Sequence, residues 1–188
     1  IVNLMGRGIN IGNVLSAPTE GNWAYAVYED YFVQLSEAGF TNVRIPVDFY
    51  SGGFLNSDYS LNGSQRSSIN IDGCANNSCF SSNSNTASNY DGSLDDYQVN
   101  QEYLDRVQQI VDWAITHNII VVLDFHGNNL KQEFVYTFQN EQINGVNYYT
   151  NPTSAKRLAD INRFKAIWRD IANRFKDYST SSLVFDLI

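Results

Sequence analysis

Asn13, Arg44 and His126 are the polar side chains best placed for chemistry in this sequence, because each stands at or just after a short apolar run. Arg44 reads in two ways: as the partner of Asp124 or Asp186 in a buried structural ion pair, or as part of a working site. His126 is likewise either a satisfied core histidine or a site group. Trp23 and Tyr50 offer flat aromatic faces on which a ligand with an apolar face can pack, and core packing accounts for them equally well. Glu133 and Glu141 are the only glutamates near the rim that these elements would form. Trp113 and Trp168 fall on helical patterns and read as packing, and His117 reads as a surface residue.

The elements that must position these groups alternate. Gly8-Ile9-Asn10-Ile11-Gly12 is a first short strand, and Tyr28, Phe32, Leu35 and Ala38 follow at helical spacing until Gly39 stops them. Val43-Arg44-Ile45-Pro46-Val47 is a second strand whose proline should lie near its end, because proline cannot donate to a ladder. Tyr103, Val107, Ile110, Val111 and Ala114 mark a second helix, which runs into Ile119-Ile120-Val121-Val122-Leu123-Asp124-Phe125. That β-branched run suits a strand buried on both faces. Leu158, Ile161, Phe164, Ile167, Trp168, Ile171 and Phe175 mark a third helix, and Leu183-Val184-Phe185-Asp186-Leu187-Ile188 a fourth strand. Strand alternation places Val122, Asp124 and His126 on one side of the third strand, and Asp186 and Ile188 on one side of the fourth.

Strands alternating with helices predict a parallel sheet covered by helices. A dinucleotide fold is excluded, because Gly6-Arg7-Gly8 precedes the first strand and no GxGxxG opens the helix. The remaining solution is a (β/α)8 barrel, which needs ~250 residues. The 188 residues here then make about four βα units, a half barrel ending in strand four. They read as one domain, 1–188, with a long Ser/Asn/Gly-rich loop insertion at about 51–96. Strands one and four of such a half are open edges, so self-association or a C-terminal half that completes the barrel is an expected partner.

Composition narrows the partners. A net charge of −8 argues against nucleic acid, whose binders carry basic patches. No apolar run approaches the ~20 residues that span a bilayer, and no signal-peptide pattern stands at Ile1, a start compatible with maturation or with cloning. Cys74 and Cys79 are the two cysteines. A two-ligand metal site is conceivable, but structural zinc takes four ligands and neither histidine is near, so a small disulfide-closed loop is the better reading. With an acidic, lysine-poor surface, that disulfide points to an oxidising, extracellular location. No metal and no cofactor are expected.

Four segments carry a resemblance to a known family. Gly8-Ile9-Asn10-Ile11-Gly12-Asn13-Val14-Leu15, followed by Ala17-Pro18-Thr19-Glu20-Gly21-Asn22-Trp23, resembles the opening of glycoside hydrolase family 5, the cellulase family. Ala38-Gly39-Phe40-Thr41-Asn42-Val43-Arg44-Ile45-Pro46-Val47 is similar to its second-strand motif. Val121-Val122-Leu123-Asp124-Phe125-His126-Gly127 is similar to the third, and Leu183-Val184-Phe185-Asp186-Leu187-Ile188 to the fourth.

The resemblance implies a retaining endo-β-1,4-glucanase acting on β-glucan, with xylan, mannan and xyloglucan left open as substrates. It implies an Asn-Glu immediately after the fourth strand, its Glu the acid/base, and a nucleophilic Glu from the seventh; neither is among these residues. Such a pair works at roughly 5–5.5 Å separation. By the same resemblance Arg44 holds the nucleophile ionised, His126 binds substrate or supports that network, and Asn13 helps fix the site. Two departures stand out. Ser16 occupies a position that is often acidic, and Gly127-Asn128-Asn129 follows His126 where a second histidine is common, which makes Asn128 a candidate substrate contact. The chain alone is expected to be inactive. A non-catalytic fragment or split-gene product that binds sugar or a partner is the alternative.

Overall fold

A computed structural model describes residues 4–17, 20–21, 23–48, 70–71, 97–99, 101–126, 142–143, 146–147 and 155–187. Its main element is a four-stranded parallel sheet ordered β1-β2-β5-β8, from β1 (Gly8–Asn10), β2 (Asn42–Val47), β5 (Ile120–Phe125) and β8 (Leu183–Asp186). Helices α1 (Glu29–Glu37), α2 (Gln101–Thr116) and α3 (Ala155–Phe175) connect successive strands. Two small antiparallel ribbons lie in the long connections. One pairs β3 (Asn70–Ile71) with β4 (Tyr97–Gln98), and the other pairs β6 (Gln142–Ile143) with β7 (Val146–Asn147). Asn70–Ile71 is the one described part of the 51–96 stretch, and Cys74 and Cys79 lie outside the described residues. No described helix is long and apolar enough to cross a membrane.

Alternation along the strands divides the sheet into two faces. Val43, Ile45 and Val47 of β2 register with Val121, Leu123 and Phe125 of β5, and all six are fully buried. They meet the apolar sides of the helices, among them Phe32 and Leu35 of α1, Val107, Ile110 and Val111 of α2, and Ile167 and Ile171 of α3. Each such side chain contributes roughly 1.5–3 kcal/mol by leaving water, so this layer dominates the stability of the fold. Phe125 stacks on Phe164 at 6.0 Å and meets Trp168 edge-on at 6.3 Å, which closes the layer beneath β5 and β8.

Pro46 sits next to last in a strand with neighbours on both sides. Odd-numbered residues of β2 turn their backbone groups to β5, as the bonds from Ile120 N–H to Thr41 C=O and from His126 N–H to Val47 C=O show. The even positions face β1, whose last bond to β2 runs from Ile11 N–H to Arg44 C=O. The missing N–H of Pro46 therefore points past the end of the β1 pairing and costs no ladder bond.

Helix-to-strand joints are short and two of them share one design. Gly39 adopts φ +79° after α1, and Asn118 adopts φ +60° after α2. In each the next residue bonds back five positions, Phe40 N–H to Leu35 C=O and Ile119 N–H to Ala114 C=O, both near 3 Å. This left-handed cap satisfies the last carbonyls of the helix and delivers the chain straight into the strand. The strand-to-helix connections after β2 and β5 are far longer, running from Val47 to Gln101 and from Phe125 to Ala155. Length in this chain is concentrated at the C-terminal ends of the strands.

Candidate functional site

The inward face of the sheet carries the polar groups. Register aligns Asn10, Arg44, Val122 and Val184 in one row and Pro46, Asp124 and Asp186 in the next, with His126 one step beyond β5. Asp124 is fully buried, and its carboxylate lies 2.6 Å from an Arg44 guanidinium nitrogen. Arg44 thus takes the ion-pair partner that the sequence offered, but its side chain remains 34% exposed, so one end is anchored while the other stays open to the mouth of the sheet. A guanidinium carries five donors in a fixed fork, enough to grip Asp124 and present others outward.

His126 approaches the same carboxylate with Nδ1 at 3.6 Å and is 55% exposed, which rules out a sequestered core histidine. Its backbone is fixed rather than its ring. The N–H donates to Val47 C=O at 2.7 Å, and the carbonyl accepts the Ser16 hydroxyl at 3.0 Å. Ser16 is itself buried, so the hydroxyl at this position ties the loop after β1 to the end of β5.

Electrostatics single out Asp124. Burial pushes its carboxyl above the ordinary carboxylate value, and the nearby Asp186 charge adds to that shift, while Arg44 and His126 pull against it. The contact with Arg44, at 2.6 Å, is a close charge pair that holds the buried carboxylate. Desolvation and the cationic partners act in opposite senses, and desolvation is the larger.

Asn13 follows Gly12, whose φ of +71° ends β1 two residues earlier than the apolar run suggests. The Asn13 side chain is exposed and its carbonyl accepts Ala17 N–H at 3.0 Å, so it belongs to the turn at the rim. Trp23 lies in the same loop and is 48% exposed, so it does not serve the core. The structure brings Arg44 and His126 together through Asp124. Tyr50, Asn128, Glu133 and Glu141 lie outside the described residues. No group of three or more potential metal ligands occurs among the described residues.

Two contributors escaped the reading of the sequence. Tyr103 of α2, read there as marking the helix, also bridges the loop after β1 to the end of β2: its hydroxyl donates to Leu15 C=O at 3.0 Å and accepts Asp48 N–H at 3.3 Å. Arg106, one turn further on, binds Glu20 through two nitrogens at 3.0 and 2.8 Å. The signal available was a tyrosine, an arginine and a tryptophan at positions 103, 106 and 113 on one side of a helix, a spacing that brings their side chains together.

Known proteins share this fold. The model of the cellulase family, glycosyl hydrolase family 5, matches residues 6–188. Endoglucanase H of Acetivibrio thermocellus is 28% identical over 188 residues, covering 100% of this chain and 14% of that protein. Endoglucanase A of Paenibacillus barcinonensis is 25% identical, covering 97% of this chain and 34% of that protein. A tri-modular family 5 (subfamily 4) endo-β-1,4-glucanase from Bacillus licheniformis, solved with cellotetraose, superposes with a TM-score of 0.58 at 25% identity, over 97% of this chain and 25% of that one. The chain therefore spans about a third or less of the length of these relatives.

Proposed function

The chain belongs to glycosyl hydrolase family 5, and from that premise we propose that it is part of a secreted, retaining endo-β-1,4-glucanase that hydrolyses β-linked glucan. The fold is that of a partial (β/α)8 barrel, in which substrate meets the C-terminal ends of the strands. The observation that carries the reading is the family match over residues 6–188 combined with an inward face that holds Arg44, Asp124 and His126 at those strand ends. The cellotetraose held by a solved relative supports a β-1,4-glucan as the first substrate to try.

In this reading Arg44 is the cation that keeps the nucleophilic carboxylate ionised and aimed, since an adjacent guanidinium favours the charged form. Asp124 holds Arg44 from behind. It leaves the outward donors of the fork free of the sheet and prevents the arginine from swinging into solvent. His126, exposed at the rim of β5, hydrogen-bonds a sugar hydroxyl or the same carboxylate network. Asn13 and Trp23 line the mouth from the loop after β1. Two carboxylic acids supply the chemistry, one protonating the leaving oxygen and the other attacking the anomeric carbon, roughly 5–5.5 Å apart. Both come from outside these 188 residues, so the residues alone are expected not to turn over. Secretion is supported by the acidic composition and by the Cys74–Cys79 pairing expected from the sequence.

The test is hydrolysis of cello-oligosaccharides by the whole protein, with the anomeric configuration of the first product followed by NMR. Cleavage with retention is expected. Inversion would refute the two-step mechanism, and selective action on xylan or mannan would refute the glucanase assignment while leaving the family intact.

A further inference from the structure

The loop after β1 is fastened to α2 by a set of side-chain bonds that also hold the buried Val27 backbone. Glu20 and Arg106 lie 86 positions apart in sequence, and their side chains are 6% and 12% exposed. Arg106 spans both carboxylate oxygens of Glu20, at 3.0 and 2.8 Å, and donates to Val27 C=O at 2.6 Å. The Glu20 carboxylate also accepts Val27 N–H at 2.9 Å. Residues 20 and 27 are thereby closed into a loop whose two ends are held by one guanidinium and one carboxylate. The guanidinium in turn lies over the Trp113 ring, 5.0 Å from its centre, and touches Gln109, so it has a single packed position. Two residues along from Val27, Glu29 is bonded at 3.1 Å to His117, which follows α2, so a second contact joins this region to the same helix end.

Within that closed loop stands Trp23, 48% exposed. An aromatic ring on a mobile loop loses binding energy to the cost of ordering it, whereas a ring on a fixed loop does not. A bidentate arginine–carboxylate pair with most of its surface removed from water is the kind of bond that fixes geometry.

We propose that Glu20 and Arg106 are positioning residues for substrate: the pair holds the 20–27 loop so that Trp23 is presented, already ordered, as a stacking platform for a sugar ring. The proposal rests on the glycoside hydrolase reading above. It makes the pair act on substrate affinity through Trp23 and not on the chemical step, because a platform that grips ground state and transition state alike lowers KM without changing kcat.

The experiment uses the whole protein and cellotetraose, with the variants Glu20→Ala, Glu20→Gln, Trp23→Ala and the double variant Glu20→Ala/Trp23→Ala. Amide hydrogen exchange at Val27 reads the clamp independently of any activity. Exchange at Val27 is expected to accelerate in Glu20→Ala, and KM to rise about tenfold in Trp23→Ala and several-fold in Glu20→Ala, with kcat within about twofold. The double variant is expected to be no worse than Trp23→Ala alone, because two residues acting through one contact are not additive. Glu20→Gln keeps an acceptor for Val27 and loses the charge, so a smaller KM rise in this milder variant excludes simple misfolding as the cause. Unchanged exchange at Val27 would overturn the clamp. Faster exchange with an unchanged KM, or KM effects of Glu20 and Trp23 that multiply, would overturn its role in binding. A wild-type protein without turnover on any β-glucan would instead count against the glucanase reading, and the exchange result would then decide the clamp alone.

Discussion

Val121 and Val122 are neighbours in β5, yet they live in different environments. Val121 faces the helices and is fully buried, and Val122 faces inward beside Arg44 and is only half-buried. The contrast holds along the two central strands, β2 and β5. The helix-facing set of Val43, Ile45, Val47, Val121, Leu123 and Phe125 is uniformly apolar and sealed, while the inward set mixes Arg44, Asp124, His126 and Asp186 with small apolar residues. One backbone serves both duties because strand alternation separates them by a single residue. Stability is concentrated on one face and charge on the other, so the two should respond differently to substitution.

The largest expected effect is on the charged face. If the proposed function holds, Arg44→Ala in the whole protein should lower kcat/KM on a β-glucan by about 10²–10³-fold, as expected for loss of a preorganised electrostatic contact. It also strands the buried Asp124, a cost of about 1–3 kcal/mol that stays moderate because the carboxyl can take up a proton. Steady-state kinetics paired with chemical denaturation separate the two effects, and a near wild-type rate would make Arg44 purely a scaffold residue.

A valine pair tests the sealed face. Val121→Ala should cost about 2–3 kcal/mol of stability, and Val122→Ala about 1 kcal/mol or less, because the second site has less to lose from exposure. Urea unfolding midpoints measure both, and equal losses would erase the distinction between the faces.

The smallest effect sharpens the comparison through pH. The Asp124 carboxyl in the folded protein titrates above its ordinary value of 3.8. In the window between that value and the raised one, the folded state keeps a proton that the unfolded chain has released, so this group favours folding at the lower end and loses that contribution as pH rises through the raised pKa. Asp124→Asn removes the dependence. Its stability relative to wild type should therefore climb as pH is raised from about 4 towards neutrality. A relative stability that falls over the same range would show that Arg44, not burial, controls the carboxyl.

Much of this division was legible in the sequence. The β-branched run that opens β5 and the alternation through Val43, Ile45 and Val47 gave the strands and their faces, and Gly39 gave the stop of α1. The inward placement of Asp124 and His126 followed from counting along one strand. What counting along a strand does not reveal is depth. Asp124 is sealed and His126 is open, although the same face carries both, because one lies inside the ladder and the other beyond its end. The Glu20–Arg106 bond was illegible for a different reason. It joins a loop to a helix across 86 positions, and no local period reports such a contact. Proline 46 was read correctly as lying near a strand end, but its tolerance depends on where β1 stops, which is a property of the neighbouring strand.

The short left-handed caps at Gly39 and Asn118 serve one end of the sheet, and the long connections leave from the other. A chain built in this way carries its inheritance and its novelty at opposite poles. The capped pole tolerates little rewriting, because each joint there must turn a helix into a strand within a few residues. Segments at the open pole can be lengthened, traded between relatives or remodelled for another polysaccharide while the joints beneath them keep the same few bonds. For an engineer, the turns at 38–41 and 117–119 are where rewriting should not be attempted.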